Sequence, residues 1–313
     1  MREFLSPLLA AVALPAVYAA AQEPLPWEAA PMPREVAESA LHPDWVFNEQ
    51  PCDWRRPVSA IFRPLVRDCT TAREAVLRIA SQMTAVTGVY YSMERRKANM
   101  NALEALAEKK VSCTGQSILL ACALRAVGIP ARAVGVLTWN HVRGNHTWTE
   151  AWFDGSWHMI EFNEKDFNTP WVMENIGMLR PERPEQRIYA VGSSAEKLSF
   201  PFPDAARRIP AEDVTERYLA LSRRWYEQAG LPPGCQRLMV DVDVRRDEPE
   251  TVQLLDAAGK VVAEALLPTR RDDVRRYATL LLPEQGRYTL RTPFGAREVV
   301  ASEMPVRIIR LVR

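Results

Sequence analysis

Between residues 70 and 85 the apolar positions Ala75, Val76, Ile79, Ala80 and Met83 recur every three or four residues, the period of one helix face. Residues 101–109 (NALEALAEK) predict a second helix, and residues 114–127 (TGQSILLACALRAV) a third that is apolar almost all round. Gly128 supplies its stop signal, and Pro130 follows. The period then changes to two. Residues 131–137, 145–153 and 156–162 are rich in Val, Thr and aromatics, and Asp154-Gly155 is a tight hairpin turn between the last two. Helices followed by an antiparallel meander predict an α+β domain. Residues 201–234 are proline-rich, with one predicted helix over 211–228. From residue 235 onward about seven short strands alternate with Gly- and Pro-bearing turns, the pattern of a small β-sandwich.

The flanking stretches have other characters. Arg2 precedes an uncharged run from Phe4 to Ala21 that ends in small residues, the pattern of a cleaved secretory signal. Pro7 and Pro15 interrupt this run and disfavour a membrane anchor. Residues 22–69 are rich in Pro and Trp in their first part and read as an extended arm. The resulting division is 1–21 signal, 22–69 arm, 70–200 α+β domain, 201–234 connector and 235–313 β-sandwich. Export, to a periplasm or to the medium, and no stable membrane insertion after cleavage are the corresponding expectations. The chain of 313 residues carries 40 Lys and Arg against 39 Asp and Glu, a balance that speaks against a nucleic-acid partner.

Candidate chemistry is concentrated in residues 111–164. Cys113 sits among the small polar residues of VSCTGQ, directly before the apolar helix. A helix N-terminus carries partial positive charge and free N–H groups, which favour the nucleophilic thiolate. Cys122, mid-helix among Leu and Ala, reads as core. His146 opens the strand HTWTEAWF, so that residues 146, 148, 150 and 152 share a face. With Asp154-Gly155 as the turn, Trp152 faces Trp157, Glu150 faces Met159, Trp148 faces Glu161 and His146 faces Asn163. Glu161 is then diagonal to His146, within reach of its ring. Trp139, Trp148 and Trp171 are either cleft walls or core. No zinc spacing and no glycine-rich phosphate loop occurs, so no metal or cofactor is called for.

The string SCTGQSILLACALRAVGIPARAVGV, followed by GNHTWTEAWFDGSWHMIEF, resembles the transglutaminase-like superfamily, across roughly residues 73–200. The resemblance implies a papain-like core bearing a Cys, His, acid triad in that chain order. Carried over, the nucleophile is Cys113, the base His146 and the acid Glu161, with Glu164 and Asn163 in reserve because the third member is most often Asp. It implies an exported cysteine enzyme that acts on protein or peptide amides through a thioester, foremost a peptidase or amidase. A cross-linking acyltransferase and a non-catalytic scaffold keeping the fold are the alternatives. The C-terminal sandwich is a candidate protein- or glycan-binding module. Of the five cysteines, Cys52 and Cys69 flank a proline-containing stretch; a bridge between them and two free buried thiols are equally open readings.

Overall fold

The structure is a computed structural model that describes residues 23–140, 144–192, 198–199, 209–228, 236–272, 276–282, 286–301 and 306–312. The secretory-signal pattern of residues 1–21, His141 and Cys235 lie outside the described residues.

Seven helices are described. The first are α1 (Arg34–Ala40), α2 (Arg55–Leu65) and α3 (Ala72–Thr87). A short strand β1 (Tyr90–Tyr91), helix α4 (Ala102–Glu108) and strand β2 (Lys110–Val111) lead into α5 (Cys113–Ala126). Helices α3 and α4 start on complete capping boxes, Thr71 with Glu74 and Asn101 with Glu104, so local chemistry fixes both starts. Helix α5 ends before Gly128, whose φ of 79° is cheap only for glycine. A Cβ at Gly128 would also meet Glu28 Cγ at 2.5 Å.

The strands β3 (Ala131–Val136), β4 (His146–Phe153), β5 (Ser156–Ile160), β6 (Ile188–Val191), β7 (Leu198–Ser199) and β8 (Pro210–Asp213) form one sheet in the order β5-β4-β3-β6-β8-β7. Every pairing in it is antiparallel. The predicted hairpin register is observed: Trp152 faces Trp157 and Glu150 faces Met159 across a turn with positive φ at Asp154 and Gly155. The ladder ends at Thr149 and Ile160, so the expected pairing of Trp148 with Glu161 and of His146 with Asn163 is not part of the sheet.

One face of this sheet packs on α5, and α2, α3 and α4 pack on α5 in turn. Ala131, Ala133, Ala151 and Phe153 join Leu119, Leu120, Ala123 and Leu124 in that core. On the opposite face Val134, Val136, Trp148 and Met159 pack with α6 (Pro170–Ile176) and α7 (Thr215–Gln228). The two faces follow from the period-two alternation of the strands.

Residues 22–69, expected as an extended arm, instead contain α1 and α2. Helix α2 contributes Val58 and Phe62, both fully buried, to the core. Such side chains each contribute about 1.5–3 kcal/mol on burial. The start of the described chain is fastened to the end of α5: Trp27 Nε1 donates to the Val127 carbonyl at 2.8 Å, and Glu28 pairs with Arg63 at 2.6 Å. In the stretch expected as a connector, β8 joins the main sheet and the helix begins at Thr215, four residues later than the 211 expected.

Beyond α7 come β9 (Gln236–Val242), β10 (Thr251–Leu255), β11 (Val261–Leu266), β12 (Ala278–Leu282), β13 (Arg287–Thr292), β14 (Gly295–Val300) and β15 (Val306–Leu311). They form two sheets, β12-β9-β15 and β11-β10-β13-β14. Leu238, Val240 and Leu280 of the first share a core with Leu254, Leu290 and Val299 of the second. The pairing of β9 with β15 is parallel; all others in these two sheets are antiparallel.

Cys52 and Cys69 are free thiols, so the bridge reading is not realised. Cys52 packs by the start of α4, where its thiol meets the Leu103 and Ala102 backbone, whereas Cys69 follows α2 beside Asp68 and Arg78.

Candidate active site

Cys113 is the first residue of α5. Ser112 caps the helix: its Oγ accepts from the Gly115 N–H at 3.0 Å and donates to the Ala98 carbonyl at 2.6 Å. The cap fixes the chain direction at Cys113 and places the sulfur at the positive end of the helix dipole. Helix and strand are tied together just behind it. Thr114 Oγ1 lies 3.0 Å from Thr147 Oγ1, and Ser117 Oγ donates to the Thr147 carbonyl at 2.9 Å.

His146 is the first residue of β4 and is buried. Its Nε2 lies 2.6 Å from Glu161 Oε1. Cys113 is the imidazole's other side-chain partner and, like Glu161, favours its protonated form. Burial favours the neutral ring, but Cys113 and Glu161 outweigh it and raise His146 to about 10. Burial likewise opposes charge on Glu161, yet the bond to His146 holds its carboxyl below the usual range. The pair is therefore imidazolium and carboxylate near neutral pH, and a cation beside a sulfur promotes the thiolate.

Three tryptophans surround the imidazole. Trp171 meets it edge-on with ring centroids 4.7 Å apart, Trp148 lies at 5.9 Å and Trp139 at 6.2 Å. All three are buried. Trp148 and Trp171 line the cleft, whereas Trp139 packs behind, stacked on Trp148.

Cys113, His146 and Glu161 thus line one cleft. The reserve residues have other partners. Asn163, with φ of 67°, accepts from the Thr84 N–H at 2.9 Å and donates to Thr84 Oγ1 at 2.6 Å. Glu164 pairs with Arg276 at 2.8 Å. His158 points elsewhere and stacks on Phe153 at 3.9 Å. Cys122 is buried in the core, and burial pushes its thiol up.

Sequence reasoning missed Tyr91, Gln116 and the trio Arg271, Asp272 and Arg276 on the same cleft. The trio belongs to the segment between β11 and β12, in a module that reads as bare β structure, and no local motif marks it.

Behind the cleft lies a charged cluster. Glu150 is fully buried, with Arg132 Nε 3.0 Å from its Oε2 and with Arg217 and Tyr218 on its Oε1. Burial would raise its pKa, but the two arginines more than offset this and keep it ionised.

Residues 59–162, about a third of the chain, match the transglutaminase-like superfamily. No curated protein sequence matches the chain. Among solved structures, the chain is similar to a candidate cysteine protease from Cytophaga hutchinsonii, with 19% identity over 34% of this chain and 37% of that one and a TM-score of 0.30. It is similar to the periplasmic domain of TgpA from Pseudomonas aeruginosa, bound to ethylmercury, with 17% identity over 44% and 49% and a TM-score of 0.29. It is similar to red sea bream transglutaminase, with 11% identity over 80% and 58% and a TM-score of 0.31. The chain spans about a third to three fifths of the length of these structures. Among the described residues, no helix is long and apolar enough to cross a membrane.

Proposed function

We propose that the protein is a cysteine-dependent amide hydrolase in which Cys113 is the nucleophile, His146 the general base and acid, and Glu161 the residue that orients and charges the imidazole. The observation that carries this reading is the position of His146: a carboxylate 2.6 Å from one ring nitrogen, and a thiol at a helix N-terminus as its other partner. The thiolate attacks the amide carbonyl, and the tetrahedral oxyanion is held at the Cys113 N–H in the field of α5. His146 gives its proton to the departing amine, leaving a thioester. Water, deprotonated by His146, then attacks the thioester carbonyl; the C–S bond breaks, the acid leaves, and the Cys113 thiolate is restored beside the imidazolium. The substrate is a peptide or protein amide. Export through residues 1–21 belongs to the same reading, because their pattern is that of a secretory signal.

The test is alkylation of the intact protein with iodoacetamide near neutral pH, followed by peptide mapping. Cys113 labels far faster than a model thiol, and Cys122 does not label. A peptide-library cleavage assay with and without a primary amine then separates hydrolysis from transfer. A Cys113 that reacts no faster than a model thiol, or an enzyme in which Cys113→Ala keeps its turnover, overturns the reading.

A further inference from the structure

Three carboxylates crowd one wall of the cleft. Glu161 holds His146. Glu164 is close by in the chain, its N–H donating to the Glu161 carbonyl at 3.3 Å. Asp272 arrives from the C-terminal module. The cation paired with two of them is Arg276, with Nη2 2.8 Å from Glu164 Oε1 and Nη1 3.4 Å from Asp272 Oδ1.

Arg276 is held in place from its own module. Asp272 is fixed by the Thr269 N–H and hydroxyl, at 2.7 and 2.9 Å. The Arg276 carbonyl accepts from Arg245 at 2.8 Å, and Arg245 pairs with Asp241 of β9 at 3.2 Å. Besides these carboxylates and Arg276, the titratable groups lining the cleft are Tyr91, Cys113, His146 and Arg271. Burial pushes the Glu164 carboxyl up and Arg276 opposes that; the same guanidinium helps to hold Glu161 low. Above the pH at which it ionises, a half-buried Glu164 without Arg276 would stand as a second negative charge beside the acid that serves His146.

We propose that Arg276 is a positioning residue of the active site, supplied in cis by the C-terminal module, which neutralises Glu164 and leaves Glu161 as the one carboxylate acting on His146. This rests on the reading of Cys113 and His146 as a reactive pair. It makes the β module a working part of the catalytic centre and not only an appended binding domain.

The experiment is the pH dependence of Cys113 alkylation by iodoacetamide in the full chain, with a melting curve for every variant. In Arg276→Gln the uncompensated Glu164 charge disfavours the thiolate, so the acid limb moves to higher pH by about half a unit. Arg276→Lys keeps the charge and restores the limb. Glu164→Gln combined with Arg276→Gln also restores it, because the surplus charge is gone. A purely structural role would move the melting temperature and not the limb. Arg276→Met takes the place of the glutamine variant if that variant fails to fold. The proposal is overturned if the limb stays at the wild-type pH in the single variant, or if the double variant stays as displaced as the single one. A wild-type Cys113 without enhanced reactivity instead removes the underlying reading, and the proposal with it.

Discussion

Tyr218 of α7 accepts a hydrogen bond from Trp148 Nε1 at 2.7 Å and donates one to Glu150 Oε1 at 2.7 Å. A single hydroxyl thus joins a tryptophan of the cleft wall to the fully buried carboxylate behind it. The chain of bonds fixes the ring that stands 5.9 Å from the imidazole of His146. Rigid support behind a reacting group keeps its geometry from drifting.

Replacing Glu150 by Ala leaves Arg132 without its nearest buried counter-charge and takes the acceptor from Tyr218. A loss of about 3–5 kcal/mol in denaturant unfolding is expected. Tyr218→Phe keeps the ring and removes only the relay, so it should cost about 1–3 kcal/mol and lower turnover more than its stability loss explains. Equal turnover in Tyr218→Phe and wild type would show that the relay serves stability alone.

Glu161→Gln keeps the shape of the acid but cannot hold an imidazolium. Turnover should fall, and a pH-dependent part of the stability should vanish. His146 is raised to about 10 from 6.5. Its contribution is therefore fully present below about pH 6.5 and is lost as pH rises through 10. Thermal unfolding across pH 6–10 should show this decline in the wild type and a flatter course in Glu161→Gln.

Ser112→Ala removes the cap of α5 and should cost about 1 kcal/mol. Because the same hydroxyl sets the chain direction at Cys113, the rate of Cys113 alkylation should fall as well. A stability loss with an unchanged alkylation rate would separate the cap from the nucleophile.

Glu174 of α6 is buried at the junction with the C-terminal module, where burial pushes its carboxyl up to about 7 despite the nearby Arg237 of β9. The folded protein holds this proton more tightly than the unfolded chain does. Its effect on stability is therefore unfavourable as pH rises from about 4.5 through 7, and constant above that. Glu174→Gln should flatten the stability curve in this window, as followed by urea midpoints at pH 5, 6 and 7.

The hairpin was legible in the sequence because strand alternation and an Asp-Gly turn leave one register open, and that register put Glu161 near His146. The helix that carries Cys113 was legible from its apolar run and its glycine stop. Helix α2 was not. A proline in a helix interior breaks it, but Pro57 lies in the first turn, where an amide N–H has no partner in the helix, and Pro64 lies in the last. The apolar spacing Val58, Ile61, Phe62, Leu65 was the overlooked signal. Arg276 could not be read, because its meaning depends on two modules meeting. Local spacing encodes helices and hairpins, but not which loop of one module lands on the cleft of another.

The parallel pairing of β15 with β9 carries a consequence in time. Residues 306–311 are synthesised after β9 and β12, and they complete the small sheet in which β9 lies between β12 and β15. On a ribosome the helices around Cys113 emerge long before that strand does, and domains fold in the order in which they appear. The sheet beside Arg276 therefore closes only after the helices around Cys113 have emerged. A nascent chain carries its thiol and imidazole early, but gains the Arg276 wall of its cleft only after β15 has joined β9.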